Sequence, residues 1–182
     1  MKKITGTVNA KPNIFVSKCL GFAKCRWDGE MARDRFVEMM KPYVNFVAMC
    51  PECEIGLGIP RDKIRIVLKN RSYRLMQLNT GKDLTGKMNA FVSGYARSLR
   101  GMDGFILKDR SPSCGIKNVK VYPGLEAVAP IGRTSGFFSR KILKDFRGTA
   151  IETEARLADP AIRVDFLVRI FKAAARKRKS II

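Results

Sequence analysis

Short apolar runs closed by turns alternate along this chain with stretches in which apolar residues recur every three or four positions. Asn13–Ser17 and residues 44–49 read as strands. Between them, residues 30–40 read as a helix with Met31, Phe36, Val37 and Met40 available for one face. Residues 64–68 and 73–78 are predicted strands, and Asn70-Arg71-Ser72 between them predicts an antiparallel hairpin. Asp83 can cap a helix whose Leu84, Met88, Phe91, Val92, Tyr95 and Leu99 keep helical spacing, with Gly101 as its stop. Gly104–Leu107 is nearly all apolar, the kind of strand buried in a parallel sheet. Val119–Tyr122 reads as an edge strand and residues 136–146 as a short helix. Asp159-Pro160 looks like the cap and first residue of a last helix, with Ile162, Phe166, Leu167, Ile170 and Phe171 on one face. It frays into Arg176-Lys177-Arg178-Lys179.

Alternation of this kind predicts an α/β fold: one three-layer domain over residues 1–182, its mostly parallel central sheet flanked by helices. In such sheets the loops leaving the carboxyl ends of the strands converge on one crevice, and a site is expected there. The length suits one domain with a real core. No apolar run approaches the roughly 20 residues that cross a bilayer, and Met1-Lys2-Lys3-Ile4-Thr5-Gly6 lacks the apolar stretch of a secretory signal. A cytoplasmic protein with no membrane partner is expected.

Five cysteines in a reducing compartment argue against a disulfide framework and leave metal binding, redox chemistry or burial. Histidine is absent, which excludes Cys2His2 zinc sites, Ser-His-Asp triads and any imidazole base. Three cysteines, Cys19, Cys50 and Cys114, stand where an apolar run gives way to a turn. Three thiolates meeting at strand exits would make a metal site with one coordination position open. Spacing alone does not define that site, since free cysteine is also a small buried hydrophobe. Against simple burial, Gly21, Pro51, Pro112 and Gly115 beside them are turn residues. Cys50-Pro51-Glu52-Cys53 has the form of a zinc knuckle or redox pair but no second copy, so Cys25 and Cys53 stand as spare ligands or packing residues.

Lys plus Arg outnumber Asp plus Glu by 36 to 16, a formal charge of +20. Such a surface attracts polyanions, nucleic acid or nucleotides among them, and would equally suit an acidic partner subunit.

Several words along the chain are recognisable: Phe15-Val16-Ser17-Lys18-Cys19-Leu20-Gly21, Cys25-Arg26-Trp27-Asp28-Gly29, Cys50-Pro51-Glu52, Glu54-Ile55-Gly56-Leu57-Gly58-Ile59-Pro60-Arg61, Asp83-Leu84-Thr85, and Gly104-Phe105-Ile106-Leu107-Lys108 followed by Ser111-Pro112-Ser113-Cys114-Gly115. In this order, over about residues 13–123, they closely resemble the thiouracil desulfidase family. The resemblance implies a 4Fe-4S cluster held by only three cysteines, Cys19, Cys50 and Cys114, with the fourth iron free for the sulfur of a thiolated pyrimidine. It implies a non-redox desulfidase acting on a 2-thiouracil-like base, nucleoside or nucleotide.

A thiocarbonyl sulfur is soft and would coordinate an unsaturated iron, which stabilises departing sulfide while water attacks the carbon. With no histidine, the nearest candidate base is Glu52, which could instead bind loop amides and hold Cys50 in place. Ser111 and Ser113 could bind the pyrimidine edge, orient water or donate to cluster sulfur, or only cap their turn. Lys108 and Arg110 could stabilise negative charge or lie in solvent. Arg26, Asp28 and Arg61 read most simply as ion-pairing residues that fix loops, and Asp83 and Thr85 as a helix start that could also face an anion. Two rivals stay open: a sulfur-inserting (thiolation) enzyme using the same cluster, and a non-catalytic nucleic-acid-binding protein with a structural metal. The basic surface leaves room for a nucleotide or tRNA-derived substrate, and a homodimer is compatible with the composition.

Overall fold

Ser17 and Met49 end neighbouring strands at the same level, and that shared register sets the architecture. A computed structural model describes residues 11–126 and 129–179; the Met1–Gly6 start lies outside the described residues. Strands β1 (Asn13–Ser17), β2 (Asn45–Met49), β5 (Gly104–Leu107) and β8 (Ala150–Thr153) form a sheet in the order β2-β1-β5-β8. Every pairing in it is parallel. A second sheet, β4-β3-β6-β7, holds β3 (Ile64–Lys69), β4 (Ser72–Gln77), β6 (Val119–Tyr122) and β7 (Gly132–Thr134). Its β3–β4 hairpin is antiparallel, with Asn70 and Arg71 both at positive φ (50° and 58°) as a two-residue hairpin turn requires.

Alternation along β1 divides the core. Phe15 points to one face, where it packs against Phe105 and Phe138 at ring-centroid distances of 5.8 and 5.1 Å. That face also takes Met88 and Val92 of α3 (Thr85–Ser98), Ile142 of α4 (Phe137–Asp145), and Ile66, Leu75 and Val121 of the second sheet. Ile14 and Val16 point the other way, onto Phe36 and Val37 of α1 (Arg35–Met40) and Phe166 and Ile170 of α5 (Pro160–Lys179). A strand buried on both faces reads as the continuous apolar run seen in the sequence. Gly104 is part of this fit, because a Cβ there would stand 2.7 Å from Ile170 and 3.3 Å from the Ala150 carbonyl.

The α/β expectation holds, with departures at particular elements. α1 begins at Arg35, where Asp34 accepts the Val37 N–H (2.9 Å), so residues 30–34 are not helical. Val119–Tyr122 is interior to the second sheet, because β7, unanticipated, covers its outer side. The parallel sheet gains an unanticipated edge strand, β8. Asp83 does serve the start of α3, accepting the Thr85 N–H at 2.9 Å. Asp159 likewise caps α5, accepting the Ala161 N–H at 2.8 Å. That helix continues through Lys179 and buries Ala174, while Phe171, expected inside, is 38% exposed. Among the described residues no helix is long and apolar enough to cross a membrane.

Candidate functional site

β2, β1 and β5 are adjacent, so the residues that follow them leave the sheet together. The exits are tied to one another: the Lys18 N–H donates to the Met49 carbonyl (3.0 Å) and the Lys108 N–H to Ser17 Oγ (2.9 Å). Cys19 sits in a tight turn closed by Leu20 N–H to Ser17 O (2.9 Å) and Phe22 N–H to Lys18 O (3.1 Å). Cys50 follows β2 directly, its extended backbone (φ −116°) preceding α2 (Pro51–Glu54). Cys114 lies in a turn whose N–H groups at Ser113 and Cys114 donate to Ser111 Oγ (3.2 and 3.1 Å). The first turn of α4 holds this loop, the N–H groups of Phe137 and Phe138 donating to the Pro112 and Ser113 carbonyls (3.0 and 2.9 Å).

A cavity of about 430 Å³ opens at this end of the sheet, within the size of small-molecule sites. Cys19, Cys50 and Cys114 all line it, so the three cysteines singled out from the sequence do converge. A fourth thiol joins them. Cys25 is 2% exposed and lines the same cavity, and its carbonyl accepts from the Cys50 thiol at 3.8 Å. Cys53 is set behind, its sulfur 3.8 Å from the Cys25 carbonyl and from Arg61 Nη1.

The thiols of Cys25, Cys50, Cys53 and Cys114 hold their protons tightly. Contact with Cys19, then burial, pushes Cys25 up to about 12, and burial pushes Cys53 up to about 11. Cys50 is driven up by contact with Cys25, by burial and by the Glu52 charge, and Cys114 by burial foremost. A bound cation reverses this balance, because metal coordination favours the thiolate. Among the described residues no three Cys, Asp or Glu side chains close on a single metal ion.

Glu52, 9% exposed, is held on both carboxylate oxygens. Oε1 accepts from Ser113 Oγ (3.0 Å), and Oε2 from Arg61 Nε and Nη2 (3.0 and 2.7 Å). Arg61 also donates through Nη1 and Nη2 to the Cys25 carbonyl, 3.0 Å each, and through Nη1 to Gly58 O at 3.1 Å. One guanidinium therefore ties together the loops bearing Cys25 and Glu52. Burial works against its charge, and Glu52 more than restores it, leaving Arg61 more basic than usual.

The remaining expected residues divide. Ser111 lines the cavity and caps the Cys114 turn, whereas Ser113 is fully buried and turned to Glu52. Lys108 lines the cavity but pairs with Glu154, whose other oxygen accepts the Asp109 N–H (2.7 Å). Arg110 has a 73% exposed side chain. Arg26 and Asp28 pair with each other at 2.9 Å. Asp83 pairs with Arg74 at 2.7 Å, apart from the cavity lining.

Sequence reasoning missed the wall facing the cysteines. There Lys63 lies 4.0 Å from the Trp27 ring centroid and the Arg65 guanidinium 4.2 Å from that of Tyr122. All four line the cavity. The alternation of β3 was visible, but nothing in it places Arg65 opposite a loop over 40 residues earlier.

The fold recurs among known proteins. The uncharacterized protein YbbK of Bacillus subtilis (strain 168) is 29% identical over 113 residues, covering 56% of this chain and 72% of that protein. The solved structure of the [4Fe-4S]-dependent thiouracil desulfidase TudS has the same fold, with a TM-score of 0.66 at 22% identity over 87% of this chain and 99% of that one. Residues 14–154 match the 2-thiouracil desulfurase family as a whole, and the chain belongs to that family.

Proposed function

We propose that this cavity removes sulfur from a thiolated pyrimidine by hydrolysis, C=S and water giving C=O and sulfide with no net redox change, using a 4Fe-4S cluster held by Cys19, Cys50 and Cys114. The observation that carries the reading is the delivery of these three thiols to one cavity by three adjacent parallel strands. The donor set fits such a cluster: three thiols without imidazole lining one cavity, with Cys50 and Cys114 raised in pKa by their surroundings, a balance that metal coordination reverses. Bound there, the cluster would supply soft Lewis acidity toward a thiocarbonyl sulfur.

The chain's own groups do the rest. Arg61 fixes the Glu52 carboxylate at the cavity wall, where Glu52 is the group placed to take the proton of the water that attacks the carbon. Ser113 donates to the same carboxylate and sets its orientation. Lys108 lines the cavity with its ammonium paired to Glu154, which holds that positive charge in place beside the site. Trp27 and Tyr122 offer apolar faces to a base, and Lys63 and Arg65 favour a phosphorylated nucleoside over the free base.

Anaerobically reconstituted protein incubated with 2-thiouracil, without reductant, is expected to release sulfide and uracil in equal amounts. Glu52→Gln should keep its cluster and turn over about 10²–10⁴-fold more slowly. Background sulfide from protein with an intact cluster, with 2-thiouracil and with 2-thiouridine monophosphate alike, would remove the substrate assignment, and full turnover by Glu52→Gln would remove the base.

A further inference from the structure

A second concavity, about 320 Å³, lies between α3 and α4 beneath β4, and its lining shares no residue with the cysteine cavity. Arg140 is its central feature. The guanidinium lies 4.2 Å from the Phe137 ring centroid and 5.3 Å from that of Tyr73. Its Nη2 is buried and makes no hydrogen bond. Lys144 stands at the exposed rim, and Asn89 and Ser93 present amide and hydroxyl groups from α3, while the buried Thr85 hydroxyl accepts the Leu75 N–H.

The surrounding charge is one-sided. α3 and β4 contain no carboxylate, and the single one on α4, Asp145, is taken by Lys141 at 2.8 Å. Asp83, at the entrance to α3, is taken by Arg74 at 2.7 Å. A half-buried guanidinium with no acid in reach is costly, and stacking on two rings offsets only part of that cost. An anion with several acceptor oxygens would meet the charge through the part of the guanidinium that lines the groove, together with the polar groups of Asn89 and Ser93.

We infer that the α3–α4 groove is an oxyanion site that takes a phosphoryl group, with Arg140 as its principal ligand and Lys144 as its rim. The phosphoryl group could be free phosphate or one phosphate of an RNA backbone, and the test separates these sources. Inorganic phosphate, and in a second arm a short single-stranded oligoribonucleotide, are titrated into the full-length chain by calorimetry at low ionic strength. Binding of at least one probe is expected to weaken about tenfold in Arg140→Gln. Arg140→Lys should recover part of the loss, because it keeps the charge and gives up the fork. Lys144→Glu, an exposed change that leaves packing alone, should weaken the same probe and guards against misfolding of the Arg140 variants. Phosphate binding that depends on Arg140 identifies a free-anion site, and dependence in the RNA arm alone identifies a backbone contact. If neither probe binds, an adventitious groove is all that remains; equal binding by wild type, Arg140→Gln and Lys144→Glu overturns the site as well. Lys172→Gln, an exposed change on α5 outside both cavity linings, serves as the control that should not move the Arg140-dependent signal.

Discussion

Removing the Arg61 guanidinium would strand the Glu52 carboxylate in a pocket where the two side chains are 3% and 12% exposed. Breaking a buried pair from one side costs about 3–5 kcal/mol. Arg61→Ala is therefore expected to lower the denaturation midpoint and the iron retained on reconstitution. Arg61→Lys should restore little, since an ammonium cannot bridge Glu52, Cys25 and Gly58 as the fork does. Unchanged stability in Arg61→Ala would contradict this role. Asp28 gives a milder case. Its hydrogen bond from Arg26 holds the carboxyl down to about 2 from an ordinary 3.8. The folded value lies below the unfolded one, so the pair stabilises the fold above pH about 3.8 and the contribution is lost as pH falls through about 2. NMR titration should place the Asp28 midpoint near 2 and move it upward in Arg26→Gln; an unmoved midpoint would assign the shift elsewhere. At this scale the sequence was legible where residue type limits the chemistry, as with the cysteines and the missing histidine. It could not show that Lys108 meets Glu154 or that Cys25 lies against Cys19 and Cys50, because those contacts depend on how separate loops close.

The first turn of α4 is the element on which the Cys114 loop depends. A Cβ on Gly136 would stand 2.4 Å from the Ser113 carbonyl, which cannot yield without moving that loop. Gly136→Ala is expected to cost about 1–3 kcal/mol and to reduce the iron bound on reconstitution. Retention of full iron content would show that the loop tolerates displacement. Gly86 and Gly94 in α3 are the counter-example, since a Cβ added at either would meet nothing within 4 Å. Replacing either by Ala should stabilise by about 0.5–1 kcal/mol, read as a higher chemical-denaturation midpoint, and a lower midpoint would reveal an unseen steric conflict. Elements with strong local signals were readable in advance: β1 and β5 as apolar runs, the β3–β4 hairpin from its turn, α5 from Asp159-Pro160. β7 and β8 were not. Their three and four residues carry too little pattern, and each forms because a neighbouring strand offers an open edge. Helix α5 carries apolar residues on two sides, so spacing alone could not decide that Phe166 and Ile170 go inside while Val164, Val168 and Phe171 stay exposed.

For the molecule as a whole, one parallel sheet brings three distant segments to a common edge, and a second sheet closes the opposite wall of the cavity. The first half of that arrangement follows from a rule of α/β folds and was anticipated; the second depends on where the hairpin packs, which no local pattern reports. The central claim is a cluster with one iron free of cysteine, and it is open to a direct measurement. Iron and labile sulfide per chain are determined after anaerobic reconstitution of the wild type and of five single variants, each with one cysteine replaced by Ala. The account predicts about four irons in the wild type, loss of the cluster in Cys19→Ala, Cys50→Ala and Cys114→Ala, and retention in Cys25→Ala and Cys53→Ala. Loss in Cys25→Ala as complete as in the other three would mean four cysteine ligands and no free iron, and would contradict it.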